Sequence, residues 1–157
     1  MVPPPPEVAE TIRRKKAAYG HVVDTQQWSR LDNIILPTAK MIFLEPNGQP
    51  TQVGKFSNVF DSRDAYREQI GRFLKGGQTH HIFGYGDLEM TGPREVSAVF
   101  SMRDTFVMKG AGGLIWSDGG GYYYENWVRE GEDWFMAELR LERMNVGRAF
   151  CLTSRML

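Results

Sequence analysis

The stretch HVVDTQQWSRLDNIILP, residues 21–37, puts a carboxylate, Asp24, directly after apolar Val22 and Val23 and four residues before Trp28. Two kinds of chemistry fit that placement. Asp24, like Thr25 beside it, could cap a second helix by accepting hydrogen bonds from free first-turn N–H groups. A carboxylate at the mouth of an apolar pocket would instead take part in proton transfer. His80 and His81 are the next titratable residues of interest. Neighbours on a strand point to opposite faces, so this pair cannot readily chelate one ion, and no Cys/His cluster completes a site. No metal is expected. His21 reads as a helix-surface group, and Cys151 has no evident partner base. The glycine runs Gly110–Gly113 and Gly119–Gly121 lack the helix and Lys-Ser/Thr of a phosphate loop. They read as turns or bulges that let a sheet curl.

The elements that must position these groups follow from periodicity. Pro3 to Pro6 form a stiff extended leader. From Glu7, the residues Val8, Ile12, Tyr19, Val22 and Val23 recur at helical spacing, with Arg13 to Lys16 on the solvent side. A second helix is expected over QQWSRLDNII, with Trp28, Leu31, Ile34 and Ile35 as its apolar stripe and Pro37 as its stop. Ala39–Glu45 reads as a strand with a turn at Asn47-Gly48. Asp61 or Ser62 caps a third helix, RDAYREQIGRFL, which ends at Gly76-Gly77.

Thereafter long strands alternate with hairpin signals: THHIFGYGDLEM, REVSAVFSMRDTF, YYYENWVRE and WFMAELRLERM. Helices first and an antiparallel meander after them make an α+β layout. Side chains alternate along a strand, so His81, Phe83 and Tyr85 share one face, with His80 and Ile82 on the other. Val96, Ala98, Phe100, Met102 and Phe106 share a face of the next strand. Tyr123, Glu125 and Trp127 form one set, and Tyr122, Tyr124 and Asn126 the other. Parity alone does not say which set points inward. Residues 145–157 have no clear period and could be a terminal strand, a lid or an oligomer arm.

At 157 residues the chain is one domain with a sizeable core. Its 19 basic and 19 acidic side chains balance, and no basic stripe points to nucleic acid. No apolar run could span a bilayer, and the start lacks the pattern of a secretory signal. A lone cysteine fits a reducing, cytoplasmic compartment. The expected boundaries are a leader over 1–6, a domain over 7–146 and a tail over 147–157.

Three motifs together carry a family resemblance. Asp24-Thr-Gln-Gln-Trp28-Ser-Arg-Leu31, followed by Pro37-Thr38, resembles a helix-to-helix junction of the scytalone dehydratase-like branch of the SnoaL-like proteins, within the NTF2-like superfamily. His81-Ile-Phe-Gly84 resembles that branch's histidine strand, and Trp127-Val-Arg-Glu-Gly-Glu-Asp-Trp134 its last hairpin. The likeness spans roughly residues 8 to 144. It implies an α+β barrel, a cone of N-terminal helices packed on a strongly curved, mainly antiparallel sheet. It further implies acid–base dehydration, cyclisation or isomerisation of a polyketide- or terpenoid-derived molecule with no metal or organic cofactor.

On this resemblance Asp24 and His81 form a proton-transfer dyad, in which the carboxylate orients the imidazole and favours its charged form. The aligned hairpin puts Glu125 on the inner face as a second acid–base group. Tyr123, Tyr85, Phe43, Trp28, Phe106, Phe83 and Met102 would contact substrate. The departures point to a different reaction. Val23 and Phe43 stand where the dehydratase has tyrosines, Phe106 replaces a histidine and Tyr123 an asparagine. The implied enzyme is therefore a lyase or isomerase other than the scytalone dehydratase itself, acting on a hydrophobic small molecule. A non-catalytic ligand- or partner-binding module of the same fold is the alternative, since this fold hosts both. Epoxide opening is a third, for which no Asp-Arg-Asp set is evident. A homo-oligomer, dimer or trimer, is expected to cover strands bearing Tyr122, Tyr124 and Val128.

Overall fold

The computed structural model describes residues 2–53, 55–110 and 113–152. Helix α1 (Pro6–Asp24) starts with proline in its first turn and Glu7 beside it, where the missing N–H and the negative charge both suit a helix start. Its buried positions Ala9, Ile12, Lys16, Tyr19, Val22 and Val23 make one stripe. Lys16 corrects the expectation that residues 13–16 form a wet face: it is 1% exposed. The helix ends at Asp24, and Gln26 takes a left-handed φ of 55°. The Gln26 side chain donates to the carbonyls of Leu74 (3.0 Å) and Gly77 (3.1 Å), which ties the helix end to the start of the strand carrying His81.

The second helix does not form. Residues Trp28–Asn33 make a short 3-10 turn with no side-chain cap, and strand β1 (Ile35–Leu44) begins before the proline. Pro37 therefore lies inside a strand. The register between β1 and its neighbour shifts between Ile35 and Lys40, where the missing proline N–H interrupts the ladder. Two short strands follow as a hairpin, β2 (Gln52–Val53) and β3 (Phe56–Ser57), then β4 (Val59–Phe60). Helix α2 (Arg63–Phe73) is capped by Ser62, whose side chain accepts from the Ala65 N–H at 3.1 Å.

The expected strand over residues 79–90 is two: β5 (Gly77–Phe83) and β6 (Asp87–Gly92). Gly86 sits in the break with φ 84°, and an added Cβ would meet the Phe100 ring at 2.3 Å, so the corner needs glycine. Both strands pair with β7 (Glu95–Gly110), which continues through β8 (Gly113–Glu130) to β9 (Asp133–Leu152). The main sheet runs β4-β1-β9-β8-β7-β5, with β6 also on β7. Among the described residues only the β1–β9 pairing in it is parallel. The architecture is the expected α+β cone, with α1 and α2 on one face of a mainly antiparallel curved sheet. Residues 145–152 continue β9. Residues 153–157 and the Cys151 side chain lie outside what is described.

The inner face holds Val96, Ala98, Phe100, Tyr123, Trp127, Leu139 and Leu141, all nearly inaccessible to water. The outer face leaves Tyr122 exposed and Tyr124 half-buried beneath the Arg140 guanidinium. Among the described residues no helix is long and apolar enough to cross a membrane.

Candidate active site

Asp24 caps no second helix. As the last residue of α1 it turns its carboxylate onto β5. Oδ1 lies 2.6 Å from the ring Nδ1 of His81 and accepts the Thr79 hydroxyl at 2.8 Å. Oδ2 accepts the backbone N–H of His81 at 2.9 Å. Burial by itself would raise the Asp24 carboxyl. The hydrogen bond and charge attraction of the His81 ring, the His81 N–H and the Thr79 hydroxyl together outweigh burial and hold it below the ordinary carboxylate value. A charged Asp24 favours the tautomer that has its proton on Nδ1, and it orients the His81 ring through that contact.

His81 borders a hollow of about 330 Å³ between the helices and the sheet, within the size range of small-molecule sites. Val23, Phe43, Ile70, Phe73 and Phe106 give it an apolar wall. His81 also touches a shallow depression beside α1. Phe83 stacks against the imidazole with ring centres 6.0 Å apart, and so braces it.

Of the residues expected at substrate, Phe43, Phe106 and Tyr123 line this hollow together with His81. The others lie elsewhere. Tyr85 is 79% exposed beyond the end of β5, its ring under the Arg13 guanidinium at 3.7 Å, because the chain leaves the sheet at Gly84. Trp28 packs over Gly71 of α2 and does not reach the cavity wall. Met102 is a core residue beneath the wall.

Glu125 faces inward by strand parity, but it does not line the hollow beside His81. It is buried in an ion pair with Lys16, and its other oxygen accepts the Trp127 indole N–H at 2.9 Å. The ion pair, not the hollow beside His81, is what the Glu125 carboxylate meets. Burial lowers Lys16, against the opposing charge of Glu125. The Lys16 ammonium sits 3.6 Å from the centre of the Tyr123 ring and 4.2 Å from that of Phe83, so the pair supports two rings next to the site.

Several wall residues escaped the sequence reading. The hydroxyls of Tyr19 and Tyr66 meet at 2.8 Å, and both residues line the hollow with Tyr123. Burial pushes all three phenols upward, so they stay protonated donors. Thr51 Oγ1, also on the wall, is buried with no hydrogen-bond partner among the described residues. Asp104 and Arg143 join the polar lining, which also includes Gln52, Asn58, Ser117 and Arg148, in a forked ion pair with contacts of 2.8 and 2.5 Å. A signal for Asp104 was present, since it falls between Met102 and Phe106 on the inward parity of β7. Among the described residues no group of three His, Cys, Asp or Glu could hold a metal ion.

The SnoaL-like domain family matches residues 7–140 of the chain. Over 139 residues the chain is 35% identical to a protein of Gibberella zeae named "Probable cyclase FGR4", covering 88% of this chain and 93% of that one. Among solved structures, the Kfla4162 protein of Kribbella flavida matches with a TM-score of 0.75 at 13% identity, over 90% of this chain and 93% of that one. A candidate scytalone dehydratase of Novosphingobium aromaticivorans matches with a TM-score of 0.71 at 14% identity, over 94% of each chain. At these identities the structural likenesses speak for fold alone.

Proposed function

Because the chain belongs to the SnoaL-like domain family, of the NTF2-like superfamily, we propose that it is a cofactor-independent acid–base enzyme of secondary metabolism. Its reaction is a dehydration, cyclisation or isomerisation of a polyketide- or terpenoid-derived small molecule. The observation that carries this reading is the 2.6 Å contact of Asp24 with His81 at the edge of a mostly apolar hollow. His81 moves the proton, Asp24 holds its ring, and the tyrosine hydroxyls donate to substrate oxygens. The cyclase name of the Gibberella zeae relative supports the class. Val23 and Phe43 both line the hollow without hydroxyls, which favours a reaction other than that of scytalone dehydratase. Phe43, Phe106 and Tyr123 line the space rather than fill it, as an enzyme requires and a plugged binding module would not. The lone cysteine fits a cytoplasmic setting.

The test is genetic and then chemical. A strain lacking the gene should accumulate an intermediate that the wild-type gene clears and His81→Asn does not. Purified protein should then convert that intermediate with no cofactor or metal added. Equal clearance by His81→Asn would remove the dyad from the reaction. The homo-oligomer, dimer or trimer, is likewise a proposal, supported by exposed Tyr122 on the outer sheet face. Light scattering that gives a monomer mass at all concentrations would refute it.

A further inference from the structure

The Asp104–Arg143 pair spans three strands. Asp104 is on β7 and Arg143 on β9, and β8 runs between them. Gly119 is the β8 partner of Asp104. A Cβ built at Gly119 would lie 2.6 Å from Arg143 Nη1 and 3.4 Å from Asp104 Oδ1. The ion pair therefore crosses the sheet through the space that glycine leaves, on the face that lines the cavity. Asp104 is also the direct antiparallel partner of His81 on β5. Side chains at such opposite positions stand roughly 5 Å apart. The fork thus sets a guanidinium on the same cavity wall as the imidazole, behind the Asp104 carboxylate that stands opposite His81.

A guanidinium has five N–H donors, and Asp104 takes one from each Nη. The remaining donors belong to a side chain only 18% exposed, on the wall of a mostly apolar hollow. There a fixed donor acts more strongly on developing negative charge than it would in water. We propose that Arg143, held across Gly119 by Asp104, receives the carbonyl oxygen of a substrate whose neighbouring C–H proton His81 exchanges. In that step His81 Nε2 takes the proton and the C–H electron pair forms a C=C bond. The carbonyl π pair moves onto oxygen, giving an enolate against Arg143. The imidazolium then returns the proton to carbon, or to a β-hydroxyl that leaves as water as its C–O bond breaks, the enolate pair re-forms C=O and the C=C bond shifts to the β carbon. The substrate class is then an enolisable carbonyl compound. This rests on the proton-transfer reading of His81 but makes a separate claim about Arg143.

The probe is 4-nitrophenol, whose visible absorption reports its ionised fraction. Wild-type protein should bind the phenolate at least about tenfold tighter than the phenol, a difference of about 1.4 kcal/mol. The double variant Asp104→Asn/Arg143→Met, which leaves no unpaired charge, should still bind phenol and lose the phenolate preference. His81→Asn should keep that preference while losing turnover. A purely structural pair would lower the melting temperature without moving the preference. The proposal is overturned if wild type shows no preference, if the double variant retains it, or if His81→Asn alone abolishes it. Loss of turnover in His81→Asn is scored separately and tests the dyad.

Discussion

One carboxylate grips one histidine twice: Asp24 Oδ1 lies 2.6 Å from the His81 ring Nδ1, and Oδ2 takes the His81 backbone N–H at 2.9 Å. The ring orientation and the backbone that carries it are set by the same group. His81→Asn should then lower turnover about 10²–10⁴-fold, the usual contribution of a positioned acid–base group. Asp24→Asn should fall in the same range, because an amide does not hold the ring as a charged acceptor. Steady-state rates on the accumulated intermediate check both, and a loss of less than a few-fold in either would exclude it from proton transfer.

The depressed Asp24 carboxyl has a sign that can be measured. A group whose folded pKa lies below its ordinary value, 3.8 here, contributes stability above that value and loses it as pH falls through the folded pKa. Wild type should therefore be more stable than Asp24→Asn at neutral pH, and the gap should close below about pH 4. Melting temperatures of the two proteins between neutral and strongly acidic pH test this. A gap that does not depend on pH would show that the carboxylate charge contributes nothing.

Removing one half of the buried Lys16–Glu125 pair should hurt far more than removing both. Glu125→Gln leaves a buried ammonium without its counter-charge, at a cost of about 3–5 kcal/mol. The double change Lys16→Met/Glu125→Leu should recover most of it. Denaturant unfolding gives both numbers. Turnover per folded molecule should survive in the double variant, since neither charge faces the cavity.

Gly20 faces the Phe83 ring, and a Cβ there would come within 2.7 Å of it. Gly20→Ala should displace the ring that stacks on His81, costing about 1–3 kcal/mol of stability. Activity should fall more than the folded fraction does. If activity simply tracks the folded fraction, Phe83 does not brace the imidazole.

Local pattern made much of the fold legible. The helix from Glu7, the Ser62-capped helix and the alternation in β7 and β8 follow from period and capping chemistry, which act within a few residues. Where local signals competed, they misled. The apolar stripe of residues 28–35 read as a helix, but Ile34 and Ile35 gain more from burial against the sheet, with the Met136 N–H bonded to the Ile34 carbonyl.

The chain by itself determined that Asp24 ends an apolar helix, that His81 and not His80 shares a face with Phe83, and that Tyr123 and Glu125 alternate in step. Those facts follow from the fixed geometry of one helix or one strand. Only the tertiary structure decided what each side chain meets. It seated Lys16 against Glu125 away from the hollow beside His81, and it brought Arg143 onto the wall of that hollow across a glycine. Partnerships of this kind join residues 39 to 109 positions apart, so they depend on strand order and register, to which spacing along the chain is blind.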